Sequence, residues 1–488
     1  MRISLVYPRY RTMLAGGLEE PLGIIYIAAV LREAGHDVRL LDLTFEKSLD
    51  QLKDAVRGAD WVGLSSSTAI FGRAIEVLGR VRTAAPGVPV IVGGPHATVA
   101  TEDALRAGFD YAVVGEAEKT VVELSELLAD GRVRECSGIA WLESEGDVDG
   151  KGVVESEGEI DREGVADSTS GGRSDGGEPG PGTRVRSNIR TDFITDLESL
   201  PFPARDLLDY SRYPTIGIVA SRGCPFHCSY CQPTIENLFG RRVRSRSPEH
   251  VVAEIENALE IAGDKDVHFK DDTMPALGLE WIEGLRDELS RRGLRIRWAA
   301  NSRVDTVDYD KLRVMRESGC VQIGFGVESG SPEVLRFYNK GADTAQVERA
   351  FDWCHELGIL PHAFLMLGAP DETVEDLQMT YDLVRRIKPR SWSICTTTPL
   401  PGTHLHDYVV EHGLMNIPDN DYEGFDNAQN SLTGENPINL RGATPEDLVR
   451  YRNRINHYLF LQNALRPEVI RKAIRRPGDA IRKLRKVI

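Results

Sequence analysis

The chain has 488 residues, of which 41% are hydrophobic and 27% charged, a balance typical of a soluble globular protein with two or three domains. Its net charge of −16 argues against the basic face that a nucleic-acid partner would need. No window approaches eighteen consecutive apolar residues and the N-terminus does not look like a signal peptide, so we expect a cytoplasmic protein. Its seven cysteines do not form a disulfide framework, which suits a reducing compartment.

Residues 1–135 alternate between two kinds of segment. Short apolar runs predict strands, and stretches with apolar residues every three or four positions predict helices. The predicted strands are residues 3–7, 38–43, 61–65, 88–93 and 111–114, and the predicted helices are residues 23–35, 74–83 and 101–107. This alternation predicts an α/β domain with a doubly wound, flavodoxin-like parallel sheet.

Small, hydroxyl-bearing and acidic residues follow three of these strands. In a doubly wound sheet, ligands bind outside the carboxyl ends of the strands, near the point where the strand order reverses. Glycine and short hydroxyl side chains at that edge let a ligand approach backbone N–H groups closely. The candidate ligand-binding residues are therefore Ser65, Thr68, Gly93, Gly94, Gly115 and Glu116. Taken alone, the pattern is equally typical of a signalling or nucleotide-binding domain.

Residues 136–205 form a predicted linker. Residues 138–142 and 184–189 predict two strands of a hairpin, and the segment from about 143 to 182 between them is acidic and rich in glycine and serine. From 145 to 178 it contains 11 acidic and 3 basic residues. Such a composition buries too little apolar surface to offset the entropy of ordering, so we expect a disordered insertion without a catalytic part.

Cys224, Cys228 and Cys231 stand in the spacing CxxxCxxC, after an apolar run at 216–220 that predicts a strand. Three thiolates on one loop can bind three irons of a cubane cluster and leave the fourth iron open, whereas electron-transfer clusters normally take four protein ligands. A structural zinc site is the alternative. Zinc usually takes four ligands in two separated pairs, and the chain contains no second CxxC pair.

This loop resembles the cysteine motif of the radical S-adenosylmethionine (SAM) superfamily, in which SAM chelates the open iron of a [4Fe-4S] cluster. Five later segments resemble the motifs of that superfamily in the right order: residues 267–272, 296–303, 321–330, 361–373 and 393–403. The resemblance implies a partial (β/α)6 barrel over residues 206–415, with the chemistry at the carboxyl ends of the strands.

The resemblance also assigns side chains to SAM. They are Tyr230, Asp271, Asp272, Asn301, Arg303 and Glu328. The aromatic ring would pack near adenine, and the two aspartates would receive the ammonium group. The arginine would bind the carboxylate, for which a guanidinium is the natural partner. The glutamate would accept hydrogen bonds from the ribose hydroxyls.

The first domain resembles the cobalamin-binding domain that precedes the barrel in one branch of the superfamily, the class B radical SAM methyltransferases. The matching segments are residues 21–24, 93–98 and 115–118, so the six strand-end residues become candidate cobalamin contacts. The DxHxxG motif, whose histidine binds cobalt in other cobalamin domains, is missing. Its absence implies base-off cobalamin without a protein histidine below the cobalt, or a site that has lost cobalamin.

Residues 416–488 form a predicted helical extension. Residues 444–465 predict one helix, and residues 469–476 and 480–488 predict two short amphipathic helices. From residue 466 onward there are 9 basic and 2 acidic residues. A basic amphipathic tail is typical of peripheral contact with the inner face of a membrane, and it is equally typical of packing on an acidic body of the same protein.

The resemblance implies an enzyme that methylates an unactivated carbon of a small-molecule or lipid substrate. A 5′-deoxyadenosyl radical would abstract a hydrogen atom and methylcobalamin would donate the methyl group, with an electron from a ferredoxin- or flavodoxin-type donor. Two alternatives stay open. One is a radical cyclase or another enzyme that forms C–C bonds without methyl transfer, on a lipid or an isoprenoid, and the other is a non-catalytic cobalamin or redox sensor.

Overall fold

The structure is a computed structural model, and the residues that it describes are 1–9, 20–46, 48–144, 183–190, 192–418, 421–464 and 466. The predicted acidic insertion therefore lies outside the described residues, apart from its first two. The two basic amphipathic helices predicted in the tail also lie outside them. Among the described residues, no helix is long and apolar enough to cross a membrane.

Seven described strands form the first sheet. They are β1 (Arg2–Tyr7), β2 (Asp37–Asp42), β3 (Trp61–Ser65), β4 (Val90–Gly93), β5 (Tyr111–Val113), β6 (Ile139–Ser144) and β7 (Thr183–Asn188). Their order is β2-β1-β3-β4-β5-β6-β7, with parallel pairing from β2 to β5 and antiparallel pairing from β5 to β7. The strand order reverses between β1 and β3, so the predicted doubly wound sheet is confirmed.

Helices cover both faces of this sheet. They are α1 (Leu22–Glu33), α2 (Leu52–Ala55), α3 (Phe71–Ala84), α4 (Pro95–Val99), α5 (Thr101–Arg106) and α6 (Glu118–Ala129). Alternate strand residues belong to different cores, because successive side chains in a strand point to opposite faces. Leu5 packs in one apolar cluster and Val6 in the other. The hairpin β6–β7 extends the first sheet, because β6 forms hydrogen bonds with β5.

Six parallel strands form the second large sheet. They are β8 (Thr215–Ile218), β11 (Asp266–Phe269), β12 (Trp298–Ser302), β13 (Cys320–Glu328), β14 (Leu360–Leu367) and β15 (Ser391–Thr396). They lie in chain order from β8 to β15, each parallel to the next. This arrangement confirms the partial (β/α)6 barrel. The short strands β9 (Ser221–Arg222) and β10 (Arg244–Ser245) pair separately, and the cysteine loop lies between them.

The second domain contains eight described helices. They are α7 (Thr234–Phe239), α8 (Pro248–Ala262), α9 (Leu279–Arg291), α10 (Tyr309–Glu317), α11 (Pro332–Phe337), α12 (Thr344–Leu357), α13 (Val374–Ile387) and α14 (His404–Glu411). Buried residues of α8, α9, α10, α12 and α13 and the alternate strand positions Ile216, Phe269, Trp298 and Phe325 form one large apolar core on the outside of the sheet. The other strand positions, on the opposite face of the sheet, are therefore left for the site.

The C-terminal extension contains α15 (Asn427–Thr433) and α16 (Pro445–Ala464), so the helix predicted at 444–465 is confirmed. Leu448 and Tyr451 of α16 pack with Leu377 of α13. Tyr422, which precedes α15, reaches the first domain, where its hydroxyl donates to Asp103 Oδ2 at 2.8 Å. The extension therefore contacts both domains.

Candidate active site

The cysteine loop is anchored on both sides by backbone hydrogen bonds. Ser229 N donates to Tyr338 O at 2.9 Å, and Leu405 N donates to Ser229 O at 2.9 Å. The three candidate ligands, Cys224, Cys228 and Cys231, line one cavity of about 210 Å³ at the carboxyl ends of the barrel strands. The cysteine loop is thus held at Ser229 by segments that lie more than 100 positions away in the chain.

The donor set of this cavity fits an iron–sulfur cluster. In the described part of the chain, no three His, Cys, Asp or Glu side chains converge on one point where a single metal ion could be held. A cubane cluster does not require such convergence, because each cysteine binds a different iron. Three thiols in the lining of one cavity, together with polar side chains such as Asn301 and Glu328, suit a cluster with one iron open to a second ligand.

Arg303 contacts the cysteine loop directly. Its Nη1 atom donates to Cys228 Sγ at 3.1 Å, and its guanidinium carbon lies 3.8 Å from the centre of the Phe226 ring. The Nε and Nη2 atoms donate to the Asp305 carboxylate at 2.9 and 2.7 Å. Arg303 lines the cavity as predicted for a SAM contact, yet most of its donors already have protein acceptors.

Glu328 lies at the end of β13 in a left-handed backbone conformation with φ of 59°, which is uncommon for a residue with a side chain. Its Oε1 atom accepts hydrogen bonds from Lys340 Nζ at 2.7 Å and from the Tyr230 hydroxyl at 2.9 Å. Lys340 also donates to the Tyr230 oxygen at 3.0 Å. Burial and the Glu328 charge raise the pKa of Tyr230, so its phenol stays protonated and donates.

Sequence reasoning missed Lys340. It is 5% exposed, it lines the cavity, and its ammonium group neutralises Glu328. The residue follows α11 within the stretch Asn339-Lys340-Gly341, which matches none of the motifs quoted above. A lysine in a polar loop after a short helix is ordinarily a solvent-exposed residue. No signal in the sequence distinguished this one.

Asp271 and Asp272 were predicted together but have different surroundings. Asp271 is buried and accepts hydrogen bonds from Ala220 N at 3.1 Å and Ser221 Oγ at 2.5 Å. Burial raises the pKa of Asp271 to about 6. Asp272 lines the cysteine cavity, and so does the predicted residue Asn301. Asp271 lies outside that lining and fixes the strand that leads into the cysteine loop.

A larger cavity of about 440 Å³ lies between the two domains. Five of the six predicted cobalamin contacts line it, at the carboxyl ends of β3, β4 and β5: Ser65, Gly93, Gly94, Gly115 and Glu116. Gly94 has φ of +99°, and a Cβ atom there would lie 2.8 Å from Ser66 O. This bare backbone at the carboxyl edge of the sheet fits a large planar ligand that must approach the main chain.

Thr68 lies outside the lining of this cavity. Its Oγ1 atom is 3.2 Å from Nδ1 of His96, which is fully buried and packs against Phe71 with ring centres 3.8 Å apart. Burial lowers the pKa of His96 to about 4, so the imidazole is neutral at physiological pH. The hydroxyl of Thr68 therefore contacts His96 in the protein interior, beneath the C-terminal extension.

Glu116 lines the large cavity but is held by ion pairs. Its Oε1 atom accepts from Arg222 Nη1 at 2.9 Å, and its Oε2 atom accepts from Arg244 Nη1 at 2.9 Å. Glu118 also pairs with Arg222. Arg222 and Arg244 belong to β9 and β10, at the two ends of the cysteine loop, so acidic residues of the first domain hold the base of that loop.

The two cavities adjoin, because Asp272 lines both of them. Comparison with known proteins gives a separate family match for each of the two domains. Residues 12–125 match the B12 binding domain, and residues 218–384 match the radical SAM superfamily. An uncharacterized methyltransferase of Pyrococcus horikoshii is 30% identical over 430 residues, which cover 85% of this chain and 84% of the relative. The chain belongs to the B12-binding radical SAM family.

Two further comparisons concern a curated relative and a solved structure that are similar to this chain. An anaerobic magnesium-protoporphyrin IX monomethyl ester cyclase of Rubrivivax gelatinosus is 27% identical over 429 residues, covering 83% of this chain and 69% of the cyclase. The solved structure of the radical SAM methyltransferase TsrM from Kitasatospora setae, with cobalamin and a [4Fe-4S] cluster bound, has a TM-score of 0.65. It is 19% identical, covers 92% of this chain and 84% of TsrM, and thus shares the fold.

As a member of the B12-binding radical SAM family, the protein is an enzyme whose cofactors are a [4Fe-4S] cluster, SAM and cobalamin. The cavity that the three cysteines line suits the cluster and SAM, and the cavity between the domains suits cobalamin. Membership of this family excludes both earlier alternatives, the structural zinc site and the non-catalytic sensor. The residue-by-residue assignments to SAM and cobalamin stay predictions.

Proposed function

We propose that this enzyme transfers a methyl group from SAM, by way of cobalamin, to an unactivated carbon of a small-molecule substrate, with an electron donor of the ferredoxin or flavodoxin type. The observation that supports the proposal is the junction of the two cavities at Asp272. A reaction that needs both cofactors at one substrate carbon requires their sites to adjoin. The methyltransferase relative described above supports the same reaction class.

When bound, SAM on the reduced cluster supplies hydrogen-atom abstraction, and cobalamin supplies the methyl group. The protein's own residues bind the cluster and SAM and orient them. The three cysteines would hold the cluster, and Arg303 donates to the sulfur of Cys228. Lys340 and Tyr230 both bind Oε1 of Glu328, so this carboxylate has one fixed orientation for the ribose hydroxyls of SAM.

A second reaction class has its own support. The cyclase relative from Rubrivivax gelatinosus matches 83% of this chain, across both domains. An enzyme of that kind would form a C–C bond within its substrate and leave the methyl group of SAM in place. The two cavities and their cofactors would be the same, so the products of SAM must separate the two candidates.

The test uses the protein reconstituted anaerobically with iron, sulfide and cobalamin. It is incubated with SAM carrying a trideuterated methyl group, titanium(III) citrate and a small-molecule extract of the source organism. Methyl transfer predicts S-adenosylhomocysteine and 5′-deoxyadenosine in similar amounts, because one SAM molecule supplies the methyl group and another supplies hydrogen abstraction. It also predicts a product that carries the trideuterated methyl group.

Formation of 5′-deoxyadenosine with an unlabelled product and without S-adenosylhomocysteine would support the cyclase candidate and overturn methyl transfer. Failure to form either nucleoside product would contradict both candidates. The matched control is Cys228→Ala, which removes one ligand of the cluster, and we expect it to form no 5′-deoxyadenosine.

A further inference from the structure

The cysteine loop has an outer side as well as the side that lines the cysteine cavity. Pro225 and His227 are exposed to solvent, and each is the chain neighbour of a cluster ligand, Cys224 and Cys228 respectively. The cavity on the inner side, of about 210 Å³, is far too small to admit another protein. A protein that delivers an electron to the cluster must therefore approach from the outer side of the loop.

The segment that joins α7 to β10 packs against this loop. A Cβ atom at Gly223 would lie 2.6 Å from Arg242 O and 3.1 Å from Gly240 O. Gly223 directly precedes Cys224, and its φ of +97° together with this close approach requires a residue without a side chain. The backbone of the joining segment therefore lies against the start of the cysteine loop.

Two exposed arginines, Arg241 and Arg242, belong to this segment. Arg241 Nη2 donates to His227 Nε2. A guanidinium group has donors and no acceptor, so Nε2 must be the accepting nitrogen of the imidazole. Asn339 Nδ2 donates to His227 O at 2.9 Å, which holds the same residue from the barrel side. One of the two cations is thus fixed beside the residue that precedes Cys228.

Neither arginine is neutralised by the protein. Among the residues that the structure describes, no carboxylate lies within ion-pair distance of Arg241 or Arg242, and the Arg242 side chain forms no hydrogen bond with any of them. The acidic side chains at the base of the loop, Glu116 and Glu118, are buried and pair with Arg222. Two uncompensated positive charges therefore face solvent beside the cluster ligands, on a chain whose net charge is −16.

We propose that the surface formed by His227, Arg241 and Arg242, here named the cluster-loop patch, docks a small acidic protein that donates single electrons to the cluster. The inference rests on the proposed function, from which it takes the electron donor, and it adds where that donor binds and what charge it carries. One electron leaves the reduced donor, which is oxidised, and enters the oxidised cluster, which is reduced. No bond forms or breaks in this step.

The charge of the chain explains why such a patch matters. Two proteins of net negative charge repel each other, and this repulsion opposes a productive encounter. A local positive patch attracts the carboxylates of the partner and orients it, and such steering raises association rates by about 10- to 1,000-fold. At physiological ionic strength the Debye length is about 8 Å, so charges beside the contact have the largest effect.

The test measures reduction of the cluster apart from turnover. The full-length protein loaded with the cluster, without substrate, is mixed with a reduced flavodoxin of net negative charge, and the reduced cluster is followed by rapid-freeze EPR. At low ionic strength we expect Arg242→Glu to slow the second-order reduction about fivefold, and Arg241→Glu combined with Arg242→Glu to slow it about tenfold or more. The difference should shrink at about 1 M salt, where the Debye length is about 3 Å.

The matched control is Arg80→Glu. Arg80 is an exposed arginine in the second half of α3, a helix that runs away from the carboxyl edge of the first sheet, so this variant should be reduced as fast as the wild type. Iron per chain and the extent of reduction by titanium(III) citrate show whether each variant still holds its cluster. Arg242→Glu keeps the proposal testable if the Arg241 replacement disturbs the loop through His227.

A wild-type rate with flavodoxin in a correctly loaded Arg242→Glu protein would overturn the proposal, and so would equal slowing in Arg80→Glu. Because no substrate is present, this result does not depend on methyl transfer. Slower reduction of the patch variants, together with an unlabelled product in the deuterium experiment, would leave the docking site standing and overturn the proposed methyl transfer.

Discussion

The carboxylate of Glu116 offers a sharp test of how the first domain supports the cysteine loop. Besides its bonds to Arg222 and Arg244 Nη1, it accepts from Arg244 Nη2 at 3.1 Å and from Ile194 N at 2.8 Å. The side chains are 4% exposed for Glu116, 11% for Arg222 and 8% for Arg244, so water screens these pairs little.

Glu116→Gln removes the charge and replaces one accepting oxygen with an amide nitrogen, which donates and therefore opposes the arginine donors. Removing one partner of a buried ion pair costs about 3–5 kcal/mol. Arg222 keeps Glu118 as a partner, so we take the lower end of that range. For a cooperative unit of 150–250 residues, ~3 kcal/mol corresponds to a fall in the thermal midpoint of about 6–12 °C.

The assay is thermal unfolding of the cofactor-free protein, followed by circular dichroism. Glu102→Gln is the matched control, because Glu102 pairs with Arg106 on an exposed helix surface of the same domain. Such pairs contribute roughly 0.3–0.5 kcal/mol, so the control should lie close to the wild type. A midpoint for Glu116→Gln equal to that of the control would refute the reasoning. Loss of cobalamin binding with an unchanged midpoint would instead support the predicted cobalamin contact.

Three further predictions concern the barrel. Burial raises the pKa of Glu372 to about 8 from 4.5, so its stabilising contribution is complete below about pH 4.5 and is lost as the pH rises through about 8. We expect Glu372→Gln to flatten the fall of the thermal midpoint between about pH 4.5 and 8, the range set by that shift, and an unchanged pH profile would contradict this. In Gly326→Ala, the new Cβ would lie 2.6 Å from Lys340 Nζ. Overpacking of about 1–3 kcal/mol should weaken SAM binding roughly 5- to 150-fold in equilibrium dialysis, with normal cluster absorbance, and undiminished binding would exclude the proposed SAM site. Arg303→Gln removes the hydrogen bond to Cys228 Sγ, and the cluster potential should fall by on the order of 50 mV in an EPR-monitored titration. An unshifted potential would show that this contact does not tune the cluster.

The arrangement of the fold was predictable because its signals are local. Alternating strand and helix patterns in residues 1–135 predicted the doubly wound sheet, since the period of apolar residues reports directly on local backbone structure. The cysteine spacing and the later motifs predicted the barrel and its cofactors through their resemblance to the radical SAM superfamily. In both domains, the chemistry-bearing residues follow strands, and parallel strands bring their carboxyl ends to one edge.

The partners of individual charged residues were not predictable. Glu116 and Arg244 are 128 positions apart in the chain, and Glu328 and Tyr230 are 98 positions apart. Asp271 and Asp272 are adjacent, yet the first supports a strand while the second lines both cavities. Spacing alone places all four acidic side chains near the strand ends. Which of them faces a cofactor depends on how the two domains pack.

The sequence by itself determined the doubly wound sheet of the first domain, through its short-range pattern, and it determined the three cysteines and the barrel through their resemblance to the radical SAM superfamily. The tertiary structure alone decided that Lys340 neutralises Glu328, that Thr68 packs under the extension and that two cavities meet at Asp272. The physical reason is that a charge buried in a cavity needs a partner, and the fold supplies whichever group it brings nearby. That partner comes from a distant part of the chain, which no local pattern reveals.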